Sequence, residues 1–185
     1  MYEVELKFPL LDAEPVIHRL ALLGAEQRAP LEQTDLYFNH PARDFEQTDE
    51  ALRIRSLGNR HLVTYKGPVV DSQTKTRREI EVPLEGGDAA KQFAAILRLL
   101  GFRPVREICK RRVPYQCTWQ TRRFEIALDE VVGLGRFVEI ETQADEAGRS
   151  AAVEAILAFA SQFQLGIPEK RSYLCLLLEL DRAEG

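Results

Sequence analysis

Residues 1–8 alternate charged with apolar side chains, and the charges are Glu3, Glu5 and Lys7. Successive side chains of a β-strand point to opposite faces, so all three charges share one face if this segment is extended. Carboxylates are hard oxygen ligands for Mg²⁺ or Mn²⁺, and lysine and arginine side chains match phosphate oxygens. A face that carries both signs therefore suits a polyphosphate bound together with a divalent metal.

Similar rows of charge recur through the chain. A single row is typical of a solvated strand face, whereas so many rows of mixed sign favour a shared charged site. The further rows are Arg53 and Arg55, then Arg77, Glu79 and Glu81, then Lys110 and Arg112, then Glu125 and Asp129, and finally Glu139 and Glu141; Lys66 and Arg171 stand alone.

The alternation predicts many strands and few helices. The strands are expected near residues 2–8, 34–39, 51–57, 61–66, 76–82, 106–113, 115–120, 122–129 and 136–142. Helices are expected from Asp12 to about Leu23, from Asp88 to Leu100 and from about Asp145 to Gln164, because each has helical spacing and a start or stop signal. Residues 168–180 could form a short helix or a last strand.

This pattern predicts an α+β fold, a closed or nearly closed antiparallel β-barrel with helices packed outside. The apolar strand faces must then meet the helices, and the charged faces must point into the barrel. Buried charge is tolerated only when it is paired or bound to metal or ligand, so a charged interior implies a charged ligand.

Composition narrows the class of protein. The 185 residues predict a single domain over 1–185. The net charge of −4 argues against a nucleic-acid binder that relies on a broad basic field. The sequence has no apolar run suited to a membrane span and begins directly with a strand pattern, so a cytoplasmic protein with no membrane partner is expected. The three cysteines lack metal-type spacing and are expected to be reduced.

The ordered set of motifs resembles the CYTH domains, also called triphosphate tunnel metalloenzymes. Residues 3–7 match the Glu-x-Glu-x-Lys signature of that family. The remaining motifs lie at residues 35–38, 52–55, 66–68, 77–79, 110–112, 128–129, 133–141 and 171–173. The Gly-Leu-Gly turn at 133–135 and the Arg-Ser-Tyr at 171–173 are most similar to the branch named class IV adenylyl cyclases.

The resemblance implies a closed eight-stranded antiparallel tunnel that binds a triphosphate with Mg²⁺ or Mn²⁺, and it is compatible with a homodimer. It implies that Glu5, Lys7 and Glu139 are catalytic. The implied metal ligands are Glu3, Glu5 and Glu139, supported by Glu141 and Asp129. The implied phosphate-binding residues are Lys7, Arg53, Arg55, Lys66, Arg77, Lys110 and Arg112, with Arg171 in a tail near the tunnel mouth.

By this resemblance the chain converts ATP to cyclic AMP and pyrophosphate. The alternative is a triphosphatase that hydrolyses inorganic triphosphate, thiamine triphosphate or a nucleoside triphosphate in the same tunnel. Glu141 favours hydrolysis, because triphosphatase-type members often have an acid at this position. A binding module for polyphosphate or nucleotide is a third hypothesis, although it would have little use for so many carboxylates.

Overall fold

The structure, a computed structural model, describes residues 1–71 and 73–184, and of residue 184 the backbone only. Ser72 and Gly185, which fall within the predicted domain, lie outside the described residues. The strands are β1 Tyr2–Leu10, β2 Glu26–Gln27, β3 Leu31–Asn39, β4 Ala51–Leu57, β5 Arg60–Val69, β6 Arg77–Leu84, β7 Arg103–Trp119, β8 Arg122–Val131 and β9 Gly135–Ala144. The helices are α1 Glu14–Leu22, α2 Phe45–Thr48, α3 Ala89–Leu99, α4 Arg149–Ala160 and α5 Tyr173–Glu184.

Eight of these strands close into an antiparallel barrel, which confirms the predicted architecture. The order around the ring is β7, β3, β4, β5, β6, β1, β9 and β8, and β8 pairs with β7 again. The short strand β2 pairs only with β7 and extends the wall beyond the start of β3. The pairing between β1 and β6 is the shortest in the ring, because its register contains only Tyr2 opposite Arg78 and Glu3 opposite Arg77.

Strand β7 is one continuous element of 17 residues, so the prediction of two strands at 106–113 and 115–120 was wrong. Its first part pairs with β3 as far as Arg112, and its second part pairs with β8 from Lys110 onward. Pro114 lies inside the strand and has no N–H to donate, but its carbonyl accepts the Arg28 N–H at 2.8 Å. The proline therefore interrupts hydrogen bonding at one position without ending the strand.

The apolar faces of the strands point outward and are covered by helices, as the alternation predicted. Val4, Leu6 and Phe8 of β1 are buried in the largest core cluster, which also contains residues of α1 and α4. In this cluster Phe124 of β8 stacks on Phe159 of α4 with ring centroids 4.2 Å apart. Helix α3 packs against a second cluster on the opposite wall, over β3 and β4. The charged side chains alternate with these apolar ones along each strand, so they point into the barrel.

The predicted helix limits are close to those observed. Helix α1 begins at Glu14, whose N–H is accepted by the Asp12 carboxylate at 3.1 Å, and Gly24 with φ +68° follows its end. The helix expected from Asp145 begins only at Arg149 and is followed by a 3-10 turn at Ser161–Phe163. No helix in residues 1–71 or 73–184 combines the length and apolarity that a membrane span needs.

The C-terminal segment resolves the choice that the sequence left open, because it forms helix α5 and not a strand. Its side chains Tyr173 and Leu177 enter a third apolar cluster with the barrel residues Tyr37, Ile108 and Phe137. Since odd-numbered residues of β3 and β9 face the interior, this cluster lies inside the barrel. Helix α5 therefore closes one end of the barrel.

Replacement of Phe159 by alanine tests the packing of α4 on the barrel. Phe159→Ala removes a fully buried ring and leaves a cavity beside Phe124, so the free energy of unfolding is expected to fall by about 3–5 kcal/mol. Urea denaturation followed by circular dichroism measures this change. Leu99→Ala is the control, because the Leu99 side chain is exposed, and it should change stability by less than about 0.5 kcal/mol.

Candidate functional site

A cavity of about 840 Å³ occupies the interior of the barrel. Its wall is made largely of the inward-facing charged rows that the sequence indicated. The predicted site residues that line it are Glu3, Glu5, Lys7, Arg53, Arg55, Lys66, Arg77, Lys110, Arg112, Glu139 and Glu141. Two further predicted residues, Asp129 and Arg171, are not part of this lining.

Three carboxylates form a cluster on neighbouring strands. Glu3, Glu5 and Glu141 each place a carboxylate oxygen within 4.8 Å of the others, and Glu5 lies directly opposite Glu141 in the β1–β9 register. Burial raises the pKa of Glu141 well above its ordinary value, and the Glu3 carboxylate raises it further. Like charges held this close in a buried site are expensive without a cation, and hard oxygen donors suit Mg²⁺ or Mn²⁺. The donor set therefore fits a divalent metal.

Glu3 also belongs to an ion pair. Burial alone would raise its pKa, but the Lys66 ammonium donates a hydrogen bond to its carboxylate and lowers the pKa to about 2. Lys66 lies 3.4 Å from the Glu79 carboxylate as well. The carboxylate cluster on β1 and β9 is thus bordered by Lys66 of β5, which lies on the other side of the short pairing between β1 and β6.

Glu139 is not part of this cluster, although it lines the same cavity. Its carboxylate accepts a hydrogen bond from the Arg112 guanidinium. Burial opposes ionisation, yet Lys110, Arg112 and Lys7 together hold the pKa of Glu139 well below its usual value. The structure therefore groups Glu141, and not Glu139, with Glu3 and Glu5, although the resemblance implied Glu139 as a main ligand and Glu141 as a supporting one.

Asp129 is buried, and its oxygens already have partners. It accepts two hydrogen bonds from Arg112, at 2.7 and 2.6 Å, and one from Lys110 at 2.7 Å. The Tyr173 hydroxyl donates a further bond at 3.1 Å. The structure therefore places the Asp129 carboxylate against two cations of the cavity and does not group it with Glu3, Glu5 and Glu141, so its role as a supporting metal ligand stays a prediction.

Asp35 of β3 has a similar role on the other side of strand β7. It accepts a two-fold hydrogen bond from Arg55, at 2.7 and 2.8 Å, and lies 3.4 Å from Arg53. Burial alone would raise the pKa of Asp35, but these two guanidinium groups lower it. The sequence motif at 35–38 contained this residue, yet no role was assigned to it, because a register that pairs Asp35 with Arg55 is visible only in the folded sheet.

The Arg171 guanidinium, predicted near the tunnel mouth, lies outside the barrel and is not part of the cavity lining. It donates hydrogen bonds to Glu169 at 2.9 Å and to Glu179 at 2.7 Å, and only its backbone carbonyl reaches the interior, where it accepts from Lys7. Its neighbour Tyr173 enters the cavity instead. The Lys7 and Lys110 ammonium groups lie 4.3 and 5.0 Å from the centre of the Tyr173 ring, in cation–π geometry.

Lys75 also lines the cavity, although it was not among the predicted site residues. Its backbone N–H donates to the Glu5 carbonyl at 3.0 Å, and this bond extends the contact between β1 and the segment before β6 beyond their short register. Burial lowers the pKa of the Lys75 ammonium to about 8. The signal in the sequence was its parity: Lys75 is two residues before Arg77 and therefore extends the same charged row. Neither the Lys75 nor the Arg77 side chain has an ion-pair partner within 4 Å among the described residues.

Known proteins resemble this chain in sequence and in fold. A family model described as the CYTH domain matches residues 1–173. The chain is 43% identical over 141 residues to a protein of Methanocaldococcus jannaschii provisionally named an adenylate cyclase, and the match covers 76% of this chain and 77% of the relative. It is 30% identical over 148 residues to adenylate cyclase CyaB of Aeromonas hydrophila, covering 78% and 71%. A solved structure of a Pyrococcus horikoshii protein superposes with a TM-score of 0.84 and 37% identity over 96% of this chain and 99% of that one.

Replacement of Asp129 by asparagine tests the buried ion pairs. Asp129→Asn leaves Lys110 and Arg112 without their shared charge, so the free energy of unfolding at pH 7 is expected to fall by about 3–5 kcal/mol. Burial opposes ionisation of Asp129, but Arg112 and Lys110 lower its pKa below the unfolded value. Its stabilisation is therefore present above the unfolded pKa of about 4 and is lost as pH falls through the folded pKa.

Urea unfolding at pH 7 and at pH 3 checks this expectation. The stability difference between Asp129→Asn and the wild type should shrink at the lower pH. Glu154→Gln, which changes an exposed acid on α4, is the control and should leave both curves unchanged. An Asp129→Asn protein as stable as the wild type at pH 7 would show that the pairs contribute no net stability.

Proposed function

The chain belongs to the CYTH domain family of triphosphate-processing, divalent-metal-dependent enzymes, and on that premise we propose that it is an adenylate cyclase that converts ATP to cyclic AMP and pyrophosphate. The observation that carries this proposal is the separation of the cavity wall into a carboxylate cluster and a set of cations. The adenylate cyclase names of the relatives at 43% and 30% identity support the choice of reaction.

The carboxylates Glu3, Glu5 and Glu141 would hold Mg²⁺ or Mn²⁺. Such an ion, when bound, polarises phosphorus and screens the charge of the phosphate oxygens. Glu139 and Asp129 both accept hydrogen bonds from Arg112 and so orient it, Asp129 also holds Lys110, and Asp35 holds Arg55. The acids therefore divide into those that face the ligand and those that orient its binding groups.

The cations supply most of the catalytic effect. They bind the phosphate oxygens and stabilise the negative charge that moves onto the leaving pyrophosphate. In the reaction the ribose 3′-oxygen forms a bond to the α-phosphorus, the bond from that phosphorus to the bridging oxygen breaks, and the hydroxyl proton passes to solvent. The proposed phosphate-binding residues are Lys7, Arg53, Arg55, Lys66, Lys75, Arg77, Lys110 and Arg112.

Hydrolysis is the second candidate, and the position of Glu141 favours it. An acid at this position is the feature of the chain that resembles triphosphatase-type members, and here it is part of the carboxylate cluster. The same cations would then bind inorganic triphosphate or another triphosphate, and water would attack the terminal phosphorus. A binding module without turnover is a weaker candidate, because the clustered carboxylates would repel the phosphate that it must hold.

Phosphorus-31 NMR separates the two reactions. Purified protein with Mg²⁺ or Mn²⁺ is expected to convert ATP into cyclic AMP and pyrophosphate. Orthophosphate from ATP or from inorganic triphosphate, with no cyclic product, would assign the protein to the triphosphatases. Binding of inorganic triphosphate that persists in a chelator, with no turnover of either compound, would support the binding module.

Replacement of Glu5 by alanine tests the carboxylate cluster. Glu5→Ala removes one of three clustered oxygen donors, so metal-dependent turnover is expected to fall more than about 100-fold. Glu139→Ala should have an effect of similar size, because Arg112 loses the acid that aligns it. Glu154→Gln on the outer surface is the control and should keep full activity. Full activity in Glu5→Ala would refute the assignment of the site.

A further inference from the structure

A second cavity, of about 280 Å³, opens beside the main one at the end of the barrel opposite α5. The two cavities share Arg112, Arg123, Glu125 and Glu141, so a ligand bound in one can extend into the other. The far wall of the side cavity is Arg28, which follows β2 and whose backbone N–H donates to the Pro114 carbonyl at 2.8 Å.

The register of the sheet places this side cavity at a defined distance from the carboxylate cluster. Gln116 of β7 lies opposite Glu125 of β8, Glu125 lies opposite Glu141 of β9, and Glu141 lies opposite Glu5 of β1. Adjacent strands are about 4.8 Å apart, so Gln116 is two strands, or about 10 Å, from Glu141. A group attached to the phosphate chain through a ribose would reach this position.

The chemistry of the side cavity differs from that of the main cavity. Its floor is the apolar cross-strand pair of Pro114 and Ala127. Beside the floor, the Gln116 side-chain oxygen accepts a hydrogen bond from the Arg28 guanidinium at 3.1 Å, which fixes the orientation of the Gln116 amide. Charged residues complete the lining, namely Arg28, Arg112, Arg123, Glu125 and Glu141, so the apolar surface is confined to the floor, where it meets the oriented amide. Apolar surface beside an oriented polar group is typical of sites for the uncharged part of a ligand.

We propose that the side cavity binds the adenine base of the substrate and that Gln116 determines the specificity for adenine. This inference rests on the proposed function, because it assumes that the charged cavity holds the triphosphate. A glutamine amide accepts from the N6 amino group of adenine and donates to N7, whereas guanine presents an acceptor at both positions. Arg28 keeps the Gln116 oxygen turned toward itself and leaves a second lone pair for N6.

The proposal explains how one charged cavity can prefer a nucleotide to a bare polyphosphate. The cations and carboxylates meet the same phosphate groups in ATP, GTP and inorganic triphosphate. Only the group beyond the α-phosphorus differs, and the side cavity is where the apolar floor and the oriented amide occur together among the lining residues described.

Isothermal titration calorimetry of Gln116→Leu with Mg²⁺ tests the proposal. The ligands are the α,β-methylene analogues of ATP and GTP, in which a methylene group replaces the bridging oxygen that cyclisation would release, and methylenediphosphonate, which has no base. The variant is expected to bind the ATP analogue about tenfold more weakly and to lose its preference over the GTP analogue, because one two-fold base contact is removed. Methylenediphosphonate should bind as tightly as to the wild type, which also shows that the tunnel is folded.

Two further variants complete the experiment. Gln92→Leu makes the same chemical change on the exposed surface of α3 and should bind all three ligands like the wild type. Gln116→Glu keeps the size of the side chain but removes the donor to N7, so it should lose ATP affinity in the same way, and it replaces Gln116→Leu if that protein does not fold.

The outcomes separate this inference from the proposed function. An unchanged ATP affinity and an unchanged ATP-to-GTP ratio in both Gln116 variants, with methylenediphosphonate still bound, would overturn the adenine site alone. A wild-type protein that binds methylenediphosphonate but does not distinguish the two nucleotide analogues would also overturn it. A wild-type protein that binds none of the three ligands would overturn the proposed function, and the adenine site with it.

Discussion

Buried charge needs a partner, and the interior of this barrel is arranged around that requirement. Asp35 of β3 forms ion pairs with Arg53 and Arg55, and Asp129 of β8 forms ion pairs with Lys110 and Arg112. These pairs keep the cations ordered and directed at the cavity before any ligand binds. Glu5 and Glu141 of the carboxylate cluster, and Lys75 and Arg77 beside β1, have no ion-pair partner within 4 Å among the described residues, whereas Glu3 is paired with Lys66. The unbalanced charge is therefore of both signs, which is the pattern that a metal with a polyphosphate would neutralise.

The outer surface of the barrel enforces this arrangement. The apolar faces of β1, β8 and β9 pack against α1 and α4, so a shift of one residue in register would expose the core and drive charge into it. Helix α5 closes one end with Tyr173, whose ring contacts two lysines and whose hydroxyl binds Asp129. The C-terminal segment thus contributes to the wall of the cavity as well as to its closure.

The period of two in the strands allowed the barrel, the direction of its faces and most of the cavity lining to be predicted from the sequence. Pairing between strands was beyond that signal. Asp129 has the correct parity, but only the β7–β8 register shows that Arg112 lies opposite and occupies it. Arg171 was misplaced because the sequence did not decide between helix and strand for the tail. Lys75 was missed because its row continues past the expected start of β6 and is held there by the Glu5 backbone.

Phosphate groups cannot explain a choice between substrates, since every triphosphate presents the same oxygens to the same cations. Selection must come from contacts with the remainder of the molecule, and those contacts act only if they are made at a fixed distance from the phosphates. The row from Glu5 through Glu141 and Glu125 to Gln116 provides such a fixed distance, because it crosses four hydrogen-bonded strands. The same rigid sheet that holds the buried charges in place would therefore also hold the base-binding residues at a fixed distance from the phosphates, and this distance would allow the tunnel to select among triphosphates.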